Sequence, residues 1–94
     1  MSFLESYFDE IKIRKENKLS AKPIEDSRLM LEIIEQIKNI DSEQRQECLN
    51  FLIYNTLPGT TNAAGVKATF LKEIIQNILI IKEITPQFAY ELLS

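Results

Sequence analysis

The sequence predicts an all-α fold, an array of about five helices arranged as helical hairpins. Residues that favour helix, such as Ile, Leu, Glu, Lys and Gln, are abundant, whereas the 94 residues include only two Gly and three Pro. Apolar residues recur at intervals of three and four, the period of an amphipathic helix, and short links separate the periodic segments. A chain of this length holds one core, so residues 1–94 are expected to form a single domain.

The first two helices are predicted from caps and apolar stripes. Ser2 stands three residues before Glu5, as in a capping box, and the first helix should end near Asn17. Its stripe consists of Leu4, Tyr7, Phe8 and Ile11. Pro23 is expected to open the second helix, because its missing N–H costs nothing in the first turn. The core face of this helix is predicted to be Leu29, Met30, Ile33, Ile34 and Ile37.

The third and fourth helices flank a Pro-Gly turn. Asp41 is the expected N-cap of the third helix, which should stop near Asn55. Its predicted core face is Cys48, Leu49, Leu52 and Ile53. The fourth helix is expected to start around Asn62 and to fray between Asn77 and Ile80. It carries Ala63, Val66, Phe70, Leu71, Ile74 and Ile75. Residues 78–84 fit either a helix or an extended connector, because β-branched residues are tolerated in both.

A short fifth helix is predicted at the end of the chain. Thr85 followed by Pro86 places an N-cap and a first helical residue in their preferred positions. The helix should then carry Phe88, Ala89, Leu92 and Leu93.

The composition excludes most catalytic chemistry. The chain has no His, which removes the most common general base and metal ligand. Its single Cys48 falls on an apolar helical face, where a buried side chain is expected, and one thiol forms no internal disulfide and holds no metal cluster. We therefore predict no catalytic residue, no cofactor and no metal. The lone cysteine and the absence of a signal-like start or a membrane-spanning run favour a cytoplasmic location.

One basic stretch stands out in a chain whose formal charge is −3. Residues 11–22 carry five cations and one carboxylate; the cations are Lys12, Arg14, Lys15, Lys18 and Lys22. The simplest interpretation is that cations are favoured at a helix C-terminus by the helix dipole. RNA or an acidic partner is the alternative, and RNA binding is expected to be weak because the chain as a whole is acidic.

Three segments together point to a known family. They are SAKPI at 20–24, NTLPGTTNAAGVKATFL at 55–71 and ITPQFAYELL at 84–93. In this order and spacing they resemble the HEAT-like N-terminal domain of bacterial aconitase B. The middle segment is the most specific, although Thr56 stands where the family usually has Arg.

The resemblance implies a helical array that binds proteins, including a second copy of itself, and a parent enzyme with a second role on messenger RNA. The aconitase reaction needs a [4Fe–4S] cluster on three cysteines, and one Cys is present here. The family pattern is matched at Asn55, Pro58, Gly59 and Lys67, which are candidates for a contact surface or for a helix cap, a turn and a solvated side chain. An alternative function is that of a split aconitate hydratase subunit, active only with catalytic domains in another chain.

The end of the chain predicts a homodimer. The apolar run from Ile78 to Ile84 and the last helix have no following helix to cover them, and a large exposed apolar patch is unusual on a monomer. A second copy would supply matching surface. The candidate contact residues are Ile81, Phe88 and Leu92.

Overall fold

The computed structural model describes residues 2–19, 23–56 and 61–93, and these ranges contain five α-helices. The helices are α1 (Phe3–Glu16), α2 (Ser27–Lys38), α3 (Arg45–Tyr54), α4 (Asn62–Ile75) and α5 (Pro86–Leu93). The central helix α2 packs against α1, α3 and α4, and α4 also packs against α5. The all-α prediction is confirmed, and this packing is compatible with a HEAT-like array. None of the five helices is long and apolar enough to cross a membrane.

The core is formed largely by the predicted faces. All five apolar residues predicted for α2 are buried, and Met30, Ile33 and Ile37 have no exposed surface. On α1, Leu4 and Tyr7 are buried, while Phe8 and Ile11 pack against the core from its edge. In α3 the structure also buries Phe51, which the three-four spacing did not identify. Tyr7 meets the Phe51 ring edge-on, with centroids 5.1 Å apart.

Two of the predicted helix starts are confirmed by hydrogen bonds. The Ser2 hydroxyl accepts from the Glu5 N–H at 3.1 Å, and the Thr85 hydroxyl accepts from the Phe88 N–H at 3.2 Å. At the start of α4 the Thr61 hydroxyl accepts from the Ala64 N–H at 3.1 Å. Each of these side chains satisfies one of the N–H groups that a first helical turn leaves unpaired.

Pro23 does not open α2. The helix begins at Ser27, where the Asp26 carboxylate caps it by accepting from the Arg28 N–H at 2.7 Å. Residues 23–25 instead stay outside the helix, because the Ile24 N–H donates to the Asn55 carbonyl at 2.7 Å and the Ile24 side chain is buried. A tertiary contact has overridden a local helix-start signal.

Asp41 does not cap α3. The helix begins at Arg45, three residues later than the expected first turn. Asn39 closes a turn in between: its side-chain oxygen accepts from the Asp41 N–H at 3.1 Å and its carbonyl accepts from the Ser42 N–H at 3.0 Å. Ser42 then accepts from the Gln44 N–H at 3.2 Å, and Gln44 is the N-cap of α3 without a side-chain capping bond.

Two helices end in the same C-terminal motif. Lys18 after α1 and Asn77 after α4 both have φ of 59°, in the left-handed region. In each case the next N–H donates back into the helix, from Leu19 to the Arg14 carbonyl at 2.8 Å and from Ile78 to the Glu73 carbonyl at 2.9 Å. This is the Schellman arrangement, and it ends α4 at Ile75, two residues before the region 77–80 where the end was expected. Residues 78–84 are thus a connector.

The substitution Lys18→Gly is expected to stabilise the fold by about 0.5–1 kcal/mol, because glycine adopts a left-handed φ without steric cost. Urea denaturation monitored by circular dichroism would measure the change. The matched control is Lys15→Gly, in the last turn of α1, which should lose about 1 kcal/mol. A Lys18→Gly protein less stable than the original would contradict the motif.

Candidate interaction surfaces

The segments around Ile24 and Asn55 meet in the structure. Besides the Ile24–Asn55 hydrogen bond, Ile24 and Thr56 form an isolated parallel bridge, and the Ala63 N–H donates to the Glu25 carbonyl at 3.1 Å. Three chain segments that are distant in sequence are joined here: the entry to α2, the exit from α3 and the start of α4. The backbone of Asn55 therefore has a structural role at this junction.

The Asn55 side chain has a partner as well. Burial raises the pKa of Tyr7, and a hydrogen bond from the Asn55 side chain opposes that rise. Asn55 thus ties α1 to the end of α3. Beside it, the Thr56 hydroxyl donates to the Leu52 carbonyl at 2.9 Å, which completes the C-terminus of α3. These contacts favour the structural interpretation of this part of the segment.

Lys67 is half-buried on α4, between the buried residues Ala63 and Phe70 on the same face. Burial lowers its pKa. A lysine at such a position packs its aliphatic stem on the core and directs its ammonium group outward. Pro58 and Gly59, the other two predicted contact residues of this segment, lie outside the described residues.

The chain end is covered more completely than the sequence predicted. Ile81 is only 6% exposed and Ile84 only 1%, so neither offers a surface to a partner. The two residues form an antiparallel bridge in a tight turn, with the Ile84 N–H donating to the Ile81 carbonyl at 3.1 Å. The placement of Ile81 on a contact surface was therefore wrong, because the turn directs its side chain into the core.

The other two predicted dimer contacts, Phe88 and Leu92, are half-buried and pack against the core, since α5 lies on α4. The apolar side chains that are exposed at this end of the chain are other residues than those predicted. Ile78 is 69% exposed, Ile80 is 85% exposed and Tyr90 is 63% exposed. The exposed apolar surface at this end of the chain thus belongs mainly to the connector between α4 and α5.

An ion pair holds this connector in place. The Arg45 guanidinium binds both carboxylate oxygens of Glu83, with Nη2 2.7 Å from Oε1, and Nε donates to the Ile37 carbonyl at 2.9 Å. The hydrogen bonds from Arg45 lower the pKa of Glu83. One side chain therefore joins the end of α2, the start of α3 and the connector. The two charges are 38 residues apart, so no local sequence pattern marks the pair.

The described part of the basic stretch, residues 11–19, covers the C-terminal end of α1 and the turn after it, whereas Lys22 lies outside the described residues. Lys12, Lys15 and Lys18 are exposed, whereas Arg14 is partly covered and forms an ion pair with Glu10 at 3.5 Å. Arg14 and Lys15 occupy the last turn, where the helix dipole favours cations. The arrangement fits the simpler interpretation made from the sequence.

A cleft of about 300 Å³ lies between α1 and the entry to α2. Among its lining residues are Phe3, Tyr7, Glu10, Ile24 and Asp26. Two of its three carboxylates are engaged, Glu10 with Arg14 and Asp26 with Arg28. The Arg28 guanidinium also lies 4.5 Å from the centroid of the Phe3 ring, at the edge of the cleft.

Comparison with known protein families decides the relationship that the three segments suggested. A family model described as the aconitate B N-terminal domain matches residues 6–94, nearly the whole chain. The chain belongs to the aconitase B N-terminal domain family. No curated protein matches it significantly. The matched region includes the junction around Asn55 and the connector between α4 and α5.

The residues of this aconitase B N-terminal domain do not fit an iron–sulfur cluster. Such a cluster needs several thiolates, and the chain has one cysteine. Cys48 has no exposed surface, and burial, assisted by the nearby Glu47 charge, raises its thiol pKa to about 12. It is the buried apolar side chain that its helical position predicted. Within the described residues, no three side chains of the His, Cys, Asp and Glu types come together as a metal site.

Proposed function

We propose that this aconitase B N-terminal domain is a non-catalytic protein-interaction module that associates with itself. The observation that carries the proposal is the exposure of large aliphatic side chains on the connector between α4 and α5, above all Ile80 at 85%. Exposed aliphatic residues lower the solubility of a monomer and are a common feature of contact surfaces. The lack of His, the most common general base, and of the thiolates that a cluster needs supports binding over chemistry.

The isolated chain is expected to be inert toward citrate, cis-aconitate and isocitrate. The physical reason is that it has no His, one buried Cys and no second thiol with which to hold a cluster. An absorbance assay of cis-aconitate formation, run after attempted cluster reconstitution, would measure this. The control is the same preparation of a full-length aconitase. Turnover by the chain, with contaminating aconitase excluded, would overturn the non-catalytic part of the proposal.

The alternative is that the chain serves as a subunit of an aconitate hydratase whose catalytic domains are supplied by another chain. Family membership favours it, because the matched domain is an N-terminal one. Capture of the chain's partners from its host separates the two functions. Recovery of aconitase catalytic domains in a stoichiometric complex supports the alternative, and recovery of the chain bound only to itself supports the module.

A further inference from the structure

We propose that the cleft between α1 and the entry to α2 binds an arginine side chain of a partner protein, presented by a short segment with apolar residues on both sides of the arginine. The cleft lies at the opposite end of the chain from the connector between α4 and α5. The site therefore does not depend on self-association and would exist on a monomer.

The cleft has an apolar floor. Ile24 and Leu29 are among its lining residues and are only 1% and 9% exposed, so they lie at its base. The aromatic rings of Phe3 and Tyr7 add to the wall on the α1 side. Its volume of about 300 Å³ is at the lower end of the range for ligand pockets, which suits one long side chain. The alkyl stem of an arginine could pack on this floor.

The polar lining of the cleft is acidic on both sides. Glu10 lies on the α1 side, and Glu25 and Asp26 lie on the other, with no Lys or Arg among the lining residues. Glu10 and Asp26 pair with Arg14 and Arg28, whereas Glu25 is exposed and forms no ion pair with any described residue. Three carboxylates and two guanidinium groups leave one negative charge without a partner. The cleft is thus complementary to one more cation.

Arg28 shows how a guanidinium group binds at the rim of this cleft. Its Nε lies 3.3 Å from Oδ1 of Asp26 and its Nη2 lies 3.0 Å from Oδ2, while the group also sits over the Phe3 ring, 4.5 Å from the centroid. Pairing with a carboxylate and stacking on an aromatic face are the two contacts that distinguish arginine from lysine. The rest of the cleft offers the same two kinds of group, in Tyr7 and Glu25.

The carboxylates of the cleft are arranged for an extended cation. Among the described residues, no three acidic side chains come together as metal ligands, so the charges are spread around the apolar floor. The Glu10–Arg14 pair has a single contact of 3.5 Å between side chains that are 36% and 42% exposed, so it is weak. Glu10 can therefore share its charge with an incoming guanidinium group. Apolar residues beside the arginine would cover the exposed ring of Phe3.

Titration with a capped Leu-Arg-Leu tripeptide, followed by NMR of the ¹⁵N-labelled chain, tests the site. We expect saturable shifts of the Ser6 and Glu25 amides, no shift at Ile78, and a dissociation constant of about 0.1–1 mM. Leu-Gln-Leu should bind at least about fivefold more weakly, because it lacks the charge, and Leu-Lys-Leu should lie between the two.

Two variants of the chain complete the test. Glu25→Gln should weaken binding of the arginine peptide by at least about fivefold, because it removes the unpaired carboxylate. Glu35→Gln is the matched control, since Glu35 is exposed on α2 outside the cleft, and it should leave binding unchanged. Both altered side chains are exposed, so both variants should keep the amide spectrum of a folded chain.

Four results would overturn the inference. The first is the absence of shifts at the cleft amides. The second is equal binding of Leu-Gln-Leu, which would show apolar contact without charge recognition. The third is equal weakening by Glu35→Gln, which would show an effect of net charge alone. The fourth is unchanged binding to Glu25→Gln. None of these results bears on self-association, which is measured without the peptide.

Discussion

The substitution Ile81→Asp is expected to unfold the chain or to leave it barely folded. Ile81 is 6% exposed and belongs to the main core, where a carboxylate would have to be buried without a partner or protonated at a cost. A loss of about 4 kcal/mol is a large part of the roughly 5–10 kcal/mol available to a domain of this size. The milder Ile81→Ala should cost about 3 kcal/mol through lost burial and the cavity left behind.

The adjacent residue provides the control. Ile80 is 85% exposed, so Ile80→Asp should change the free energy of unfolding by no more than about 0.5 kcal/mol. Thermal melts of Ile81→Ala and Ile80→Asp would compare the stability losses at the two positions. They should be run at low protein concentration, where self-association contributes little to the measured stability. The Tm of Ile81→Ala should fall by roughly 10–20 °C. Equal losses for the two positions would contradict the arrangement of the connector.

The second large effect is expected at Arg45. Arg45→Ala removes the paired hydrogen bonds to Glu83 and the bond to the Ile37 carbonyl, and it frees the connector. The Arg45 side chain is 15% exposed and that of Glu83 is 34% exposed, so solvent screens the pair only in part. We expect a loss of about 1–2 kcal/mol in urea denaturation at pH 7. Arg14→Ala, which removes the more exposed pair with Glu10, is the control and should cost less.

The pH dependence of the Glu83→Gln variant tests the same pair. The pKa of Glu83 is lowered by Arg45 from its ordinary value of 4.5, so the folded state favours the ionised carboxylate. That contribution is fully present above the unfolded pKa and is lost as the pH falls through the lower, folded pKa. The original chain should exceed Glu83→Gln in stability by about 1 kcal/mol at pH 7, and the difference should shrink as the pH falls below the ordinary pKa of 4.5. A difference independent of pH would contradict the ion pair.

The helices and most of the core were predictable because they depend on local spacing. The apolar residues of α2 from Leu29 to Ile37 recur at the spacing that places them on one face of a helix. That face is buried in the structure, as expected. Ser2 and Thr85 cap helices because the N–H groups that they satisfy lie within the next three residues. Cys48 was recognised as a core residue for the same reason, its position on the buried face of α3.

The errors arose where distant contacts decided the result. Pro23 is a good helix start by local rules, but Ile24 is held by Asn55, a residue 31 positions later in the sequence. Ile81 was placed outside because the seven-residue run from Ile78 to Ile84 does not indicate which side chains point inward once a turn replaces the helix. The Arg45–Glu83 pair has no sequence signal at all, since either residue alone is an ordinary surface charge.

Sedimentation equilibrium of the unmodified chain tests the central claim of a self-associating module most directly. The monomer mass is 10.9 kDa. Because the exposed aliphatic surface of the connector is small, we expect a dissociation constant of about 1–100 µM for self-association. The apparent mass should therefore rise with concentration and level off at twice the monomer value, and it should be independent of added metal or substrate. A mass that stays at 10.9 kDa over the whole accessible concentration range would contradict the account.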